Sequence, residues 1–189
     1  MVHLESLDNL LSLDLSNTSI TDDGLKNLQS LSNLEILYLS GSSISDTGLD
    51  HLQQVSSLRA LHLSNTSITD AGLQKLQPLT NLIRLDLSHT SISDAGLQNL
   101  QLLTSLIWLD LSHTSISDAG LQKLQLLTNL EVLNVSNTWV TDTGVAALKQ
   151  TLPDADIRLA SKKSTDHETD SEPGGTVENR PTRVPRTVE

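Results

Sequence analysis

The sequence predicts an α/β solenoid, an arc with a parallel sheet on its concave side and short helices on its convex side. Three observations predict it. Leu10, Leu34, Leu58, Leu82, Leu106 and Leu130 recur every 24 residues, and self-similarity at a fixed period marks stacked structural units. Each unit opens with apolar and polar residues in alternation, as in Leu61-His62-Leu63, the pattern of a short strand with one face inward. Each then carries leucines three apart, as at Leu73, Leu76 and Leu79, which suits a short helix or 3₁₀ segment with one apolar stripe.

The unit beginning at Leu58 reads Leu58-x-x-Leu61-x-Leu63-x-x-Thr66-x-Ile68, then Thr69-Asp70-x-Gly72-Leu73-x-x-Leu76-x-x-Leu79, and the next starts at Leu82. This pattern, present in six copies, resembles the leucine-rich-repeat family, in particular the variety whose second half reads ITDxGL, found in F-box substrate receptors and many bacterial proteins. The resemblance covers residues 4–159 and implies a leucine-rich-repeat solenoid that binds protein. Two departures stand out. The family's Asn or Cys in the turn after the strand is Thr18, Ser42, Thr66, Thr90, Thr114 or Thr138 here, and there is no F-box.

Each element has a local cause. Thr69-Asp70 and its equivalents are read as supplying oxygens for the unpaired N–H groups at a helix start. On that reading the row Asp22, Asp46, Asp70, Asp94, Asp118 and Asp142 is a set of helix caps. A calcium ladder is the weaker account, because calcium loops gather several oxygens within one loop. One repeat buries too little apolar surface to offset the entropy of ordering its backbone, so stacking is what completes the fold.

The core is built almost wholly from Leu and Ile, since the chain has no Phe, one Tyr, two Trp and one Met. The absence of Cys excludes disulfides, thiolate metal sites and cysteine nucleophiles. At the start, Leu4, Leu7 and Leu10 align with Leu28, Leu31 and Leu34, inside the helical half of a repeat. Either residues 1–9 form a short lid or the chain is a piece of a longer protein, and some self-association through that end is expected. At the far end, Gly144 to Leu159 reads as a closing helix and a last edge strand, with Asp156 and Arg158 protecting the edge. The solenoid is thus assigned to residues 1–159, and residues 160–189, polar and without apolar periodicity, read as a disordered tail.

Net charge is −11, and residues 1–159 hold 7 basic and 17 acidic side chains, a net of −10. A nucleic-acid ligand is disfavoured, because phosphates are neutralised by Lys and Arg. The same field favours a protein partner with a basic surface. No basic segment followed by an apolar run opens the chain, and no window approaches ~18 apolar residues, so a cytoplasmic protein that does not engage membranes is expected.

Variable positions on the outward face of the strands are where recognition is expected. They form two rows: Ser12, Ile36, Ala60, Arg84, Trp108, Val132, and Asp14, Tyr38, His62, Asp86, Asp110, Asn134. A third row is constant Ser, from Ser16 to Ser136, and reads as packing. Candidate partner-binding residues are Tyr38, His62, Arg84, Asp86, Trp108, Asp110, Val132 and Asn134, with Trp108 as the anchor because Trp and Arg dominate binding hot spots. Trp139 is read as a cover over the end of the core.

Catalysis is disfavoured. Asp86 and Asp110 invite an acid/base pair, but an open sheet supplies neither a pocket nor exclusion of water. His89 and His113 are read as replacing Asn at a tolerant turn position rather than as metal ligands, and no cofactor motif is present. Two functional classes remain: a protein-binding module or scaffold, and a structural or vestigial repeat fragment of a longer receptor, kinase or toxin-like protein.

Overall fold

Alternation of Leu with polar residues makes strands of three residues, and their uniform spacing stacks them in order. A computed structural model of the chain describes residues 9–160. Seven strands lie among those residues: β1 (Ser12–Asp14), β2 (Ile36–Tyr38), β3 (Ala60–His62), β4 (Arg84–Asp86), β5 (Trp108–Asp110), β6 (Val132–Asn134) and β7 (Asp156–Arg158). They form one parallel sheet in the order β1 to β7. Register follows the repeat, so Leu61 pairs with Leu85, Leu85 with Leu109 and Leu109 with Leu133.

Short helices return the chain between strands: α1 (Asp22–Leu25), α2 (Asp46–Leu52), α3 (Asp70–Lys75), α4 (Asp94–Leu97), α5 (Asp118–Leu121) and α6 (Asp142–Leu148). After α1, α4 and α5 the chain continues as a 3₁₀ turn, which brings the next leucine onto the same stripe. The strand leucines, the Ile68 position and the helix leucines of the inner repeats are fully buried and form one continuous core. The first repeat differs. Leu13, Leu15 and Ile20 are only partly buried, whereas their equivalents Leu37, Leu39 and Ile44 are wholly buried.

The Asp row does not cap helices. The caps are the preceding Ser or Thr: the Ser93 hydroxyl, for example, accepts from the Ala95 N–H at 3.3 Å. Asp22, Asp46, Asp70, Asp94 and Asp118 instead each reach forward to the cap residue of the next repeat. Asp46 Oδ1 accepts from the Thr69 N–H at 2.8 Å and its Oδ2 accepts from the Thr69 hydroxyl at 2.6 Å. The same pair of bonds joins Asp22 to Ser45, Asp70 to Ser93, Asp94 to Ser117 and Asp118 to Thr141. These five carboxylates are therefore stitches between repeats, and they also explain the glycines at Gly48, Gly72, Gly96, Gly120 and Gly144. A Cβ at Gly72 would collide with Asp46 Oδ1, so the absence of a side chain there makes room for the carboxylate of the repeat before.

The turn after each strand is also more demanding than a tolerant position. Asn17, Gly41, Asn65, His89, His113 and Asn137 occupy equivalent places, and all have φ between +54° and +67°. That left-handed conformation suits Gly and Asn and is reached by His at some strain. It lets each residue donate its backbone N–H to the next repeat, as His89 does to the Ser112 carbonyl at 3.0 Å. The Thr or Ser that follows donates its hydroxyl to the carbonyl three residues back, as Thr90 does to Leu87 at 2.5 Å.

Two expectations at the C-terminal side are revised. Trp139 is 64% exposed and does not cover the core; its neighbour Val140, at the repeat position of Ile68 and Ile116, is the buried residue, at 7% exposure. The hydrogen-bond ladder also runs one residue past the assigned boundary, because the Ala160 carbonyl accepts from the Asn137 N–H at 2.8 Å. Apart from Asn9 and Ala160, the expected lid over residues 1–9 and the expected tail over residues 160–189 lie outside the described residues.

Candidate functional site

Strand pairing sets the candidate residues side by side. Arg84 pairs with Trp108 and Trp108 with Val132; in the next row Tyr38 pairs with His62, His62 with Asp86, Asp86 with Asp110 and Asp110 with Asn134. All eight therefore share one face, standing opposite the buried leucines because alternate residues of a strand point to opposite sides.

These side chains touch in a connected row. The Tyr38 and His62 rings stack with centroids 4.6 Å apart and planes within 20°. Trp108 leans back toward His62, at 6.3 Å between ring centroids, and the Arg84 guanidinium lies over the Trp108 ring at 5.1 Å. Such a cation–π contact holds a long, flexible Arg in place. His62 Nδ1 also lies 3.8 Å from Asp86 Oδ2.

The two aspartates are already occupied. Asp86 Oδ1 accepts from the Ser88 N–H at 3.0 Å and from its hydroxyl at 2.7 Å. Burial alone would push the Asp86 carboxyl up, but the nearby His62 ring and hydrogen bonds from Ser88 together outweigh it and hold the group below its ordinary value. Asp110 Oδ1 accepts the same two bonds from Ser112, and its Oδ2 accepts from Asn134 Nδ2 at 2.8 Å. An acid/base pair is not what this arrangement presents. The constant Ser row supplies these internal donors, and the Ser88 hydroxyl also bonds that of Ser64 at 2.8 Å.

A third variable row escaped the sequence reading: Leu11, Glu35, Arg59, Ile83, Ile107 and Glu131. The Leu11 carbonyl accepts from both the Glu35 N–H and the Ile36 N–H, at 2.8 and 3.0 Å, and the same doubled bond recurs at the Glu35 and Arg59 carbonyls. The chain bends there, before the strand begins, and the residue at the bend turns outward. Leu11 is 56% exposed as a result. Glu35, Arg59 and Ile83, with Ser57, Asn81 and Ser105, line a shallow recess of about 460 Å³ beside Arg84 and Trp108.

Along the rim, the His89 and His113 rings stack at 3.9 Å, and Asn137 Nδ2 lies 3.1 Å from His113 Nε2. Among the described residues, no group of three or more His, Cys, Asp or Glu is placed to hold a metal ion. No helix there is long and apolar enough to cross a membrane.

Comparison with known proteins bears on the whole arc. A leucine rich repeat family model matches residues 8–68 and 56–116, and a second leucine rich repeat model matches residues 127–149. Among solved structures, the chain is similar to an internalin (inlF) of Listeria monocytogenes, with a TM-score of 0.64 and 21% identity over 83% of this chain and 49% of that one. It is similar also to an internalin C2 (inlC2) of the same organism, with a TM-score of 0.61 and 24% identity over 84% of this chain and 76% of that one. The chain thus spans about half the length of inlF. At these identities the likeness is one of fold. No curated protein sequence matches the chain.

Proposed function

The chain belongs to the leucine-rich-repeat family, whose arcs are commonly protein-interaction modules, and from that premise we propose that it binds a protein partner on its concave sheet. The observation that carries the proposal is Arg84 lying over Trp108 at 5.1 Å, at the centre of a face whose side chains vary from strand to strand. Variable positions on an otherwise regular scaffold are where partner choice is encoded. A half-buried Trp held by an Arg, with stacked Tyr38 and His62 beside it, matches the aromatic and Arg composition of interface hot spots. The open sheet suits a macromolecular surface better than a small substrate, which needs an enclosing pocket.

A photo-reactive amino acid placed at position 36, on the same face as Trp108, and separately at position 122 on the convex side, tests this. Crosslinks to a partner from position 36, and none from position 122, are the expected result. Equal crosslinking from both would place binding elsewhere and overturn the proposal.

A further inference from the structure

The arc's net charge, taken alone, argues for a basic partner. The local arrangement argues for the opposite. The carboxylates at the centre of the face, Asp86 and Asp110, already accept hydrogen bonds from Ser88, Ser112 and Asn134. Arg59 and Arg84 are exposed, and among the described residues neither guanidinium has a hydrogen-bond acceptor or a carboxylate partner. They are neighbours, since the Arg59 carbonyl accepts the Arg84 N–H at 3.0 Å. Arg84 is in addition positioned by its contact with Trp108, whose ring centroid lies 5.1 Å from the guanidinium carbon. A planar guanidinium with free edge donors matches a carboxylate bidentately.

Apolar side chains complete the arrangement. Ile83 and Ile107, just before β4 and β5, and Trp108 and Val132, in β5 and β6, are half-buried beside the two arginines and on the N-terminal side of the Asp86–Asp110 row. Glu35 lines the same recess as Arg59 and offsets its positive charge, so Arg84 is the anchor. The acidic surroundings do not forbid an anionic ligand. Exposed charges farther than about 8–10 Å are largely screened at physiological salt, whereas a direct guanidinium contact is not.

We propose that the concave face takes an acidic protein segment, one that sets an Asp or Glu carboxylate against Arg84 and an adjacent apolar or aromatic side chain against Ile83, Ile107 and Trp108. This rests on the reading of the concave sheet as the docking face and names the chemistry of its partner.

The test is selection of displayed random linear peptides on the full chain, followed by titration of the enriched peptides against Arg84→Gln and Trp108→Ala. Both positions are on the surface, and a denaturant melt of each variant checks that the fold is kept. The expected result is enrichment of Asp or Glu next to an apolar residue. Affinity should fall about tenfold with Arg84→Gln, the size expected when a charge-assisted pair is lost. It should fall equally when the peptide's own Asp or Glu becomes Asn or Gln, and the two changes together should be no worse than either alone. Enriched peptides rich in Lys or Arg that are indifferent to Arg84→Gln, yet weakened by Trp108→Ala, would overturn the acidic-partner inference and leave the docking face standing. Failure to enrich any peptide that depends on Trp108 would overturn both.

Discussion

Asp70 holds Ser93 at two points: its Oδ1 accepts the Ser93 N–H at 2.8 Å and its Oδ2 accepts the Ser93 hydroxyl at 2.6 Å. The bonds join residues 23 apart in sequence and so tie the start of one convex helix to the start of the next. Hydrogen bonds to a charged group contribute more than neutral ones, and a partly buried donor left without an acceptor adds a desolvation penalty. Asp70→Ala should therefore lower stability by about 1–3 kcal/mol. Asp70→Asn keeps the shape and one acceptor, and should lose less. Urea midpoints at constant m-value check both.

Gly96 yields a sharper version of the same test. A Cβ there would collide with Asp70 Oδ1 and lie 3.0 Å from Leu73 Cδ1, the end of a flexible side chain that can shift. Helix interiors otherwise favour Ala over Gly by about 1 kcal/mol. Gly96→Ala should thus destabilise the wild-type chain yet be neutral or stabilising in the Asp70→Ala background. A double-mutant cycle measures the coupling. Additive losses would show that the glycine is needed for some other reason.

What was legible in the sequence was whatever a single repeat dictates by itself. Leu61 and Leu63 alternate with His62 because the core lies on one side, and that alone set the sheet, the register and the placing of Tyr38, His62, Arg84, Asp86, Trp108, Asp110, Val132 and Asn134 on one face. The role of Asp70 was hidden because Thr69-Asp70 resembles a helix start, and the true partner, Ser93, belongs to the next repeat. Arg59, Ile83 and Ile107 were missed because alternation does not hold where one carbonyl takes two N–H donors and the chain bends. The left-handed turn at His89 had a signal in the column it shares with Gly41 and four residues of Asn or His, but His alone does not announce a positive φ. Trp139 was misplaced because a large apolar residue near the end of a solenoid suggests a cover, whereas the structure leaves it exposed and buries its neighbour Val140.

At His89, whose φ is +54°, the strain can be separated from the ring contact with His113. His89→Asn and His89→Val both remove the stack, but only Val brings a β-branched side chain into the left-handed region. Val should be less stable than Asn by about 1–2 kcal/mol, the left-handed penalty for a residue with no local hydrogen bond to offset it. Equal thermal midpoints for the two would mean that the turn relaxes to another conformation.

Asp86 confers an acid dependence whose sign follows from its lowered carboxyl. The nearby His62 ring and hydrogen bonds from Ser88 favour the charged form in the folded chain more than burial opposes it. A group depressed on folding contributes stability above its unfolded value, roughly pH 4, and that contribution is lost as pH falls through the folded value. The stability advantage of the wild type over Asp86→Asn should therefore be full at neutral pH and shrink below roughly pH 4. Denaturant midpoints across an acid series check this, and a difference that stays constant down to the acid limb would contradict it.

Trp108 and Leu109 are neighbours in β5 with opposite surroundings, and the contrast tests the register and the docking face together. Leu109 is wholly buried between Leu85 and Leu133, so Leu109→Ala should open a cavity and cost about 2–5 kcal/mol. Trp108 is half-buried on the outer face, resting against Arg84 and near His62, contacts that water largely replaces. Trp108→Ala should change stability by about 1 kcal/mol or less, since positions away from the core seldom change it more. If Trp108 anchors a partner, the same substitution should weaken binding by about 2 kcal/mol or more. Denaturant melts of both variants, paired with titration of Trp108→Ala against a captured partner, separate the possibilities. Unfolding of Trp108→Ala as readily as Leu109→Ala would mean that Trp108 supports the fold, and the concave face would lose its anchor. Normal folding with undiminished capture would move the docking surface off β5, and Arg84 would then have to be tested without the ring that positions it.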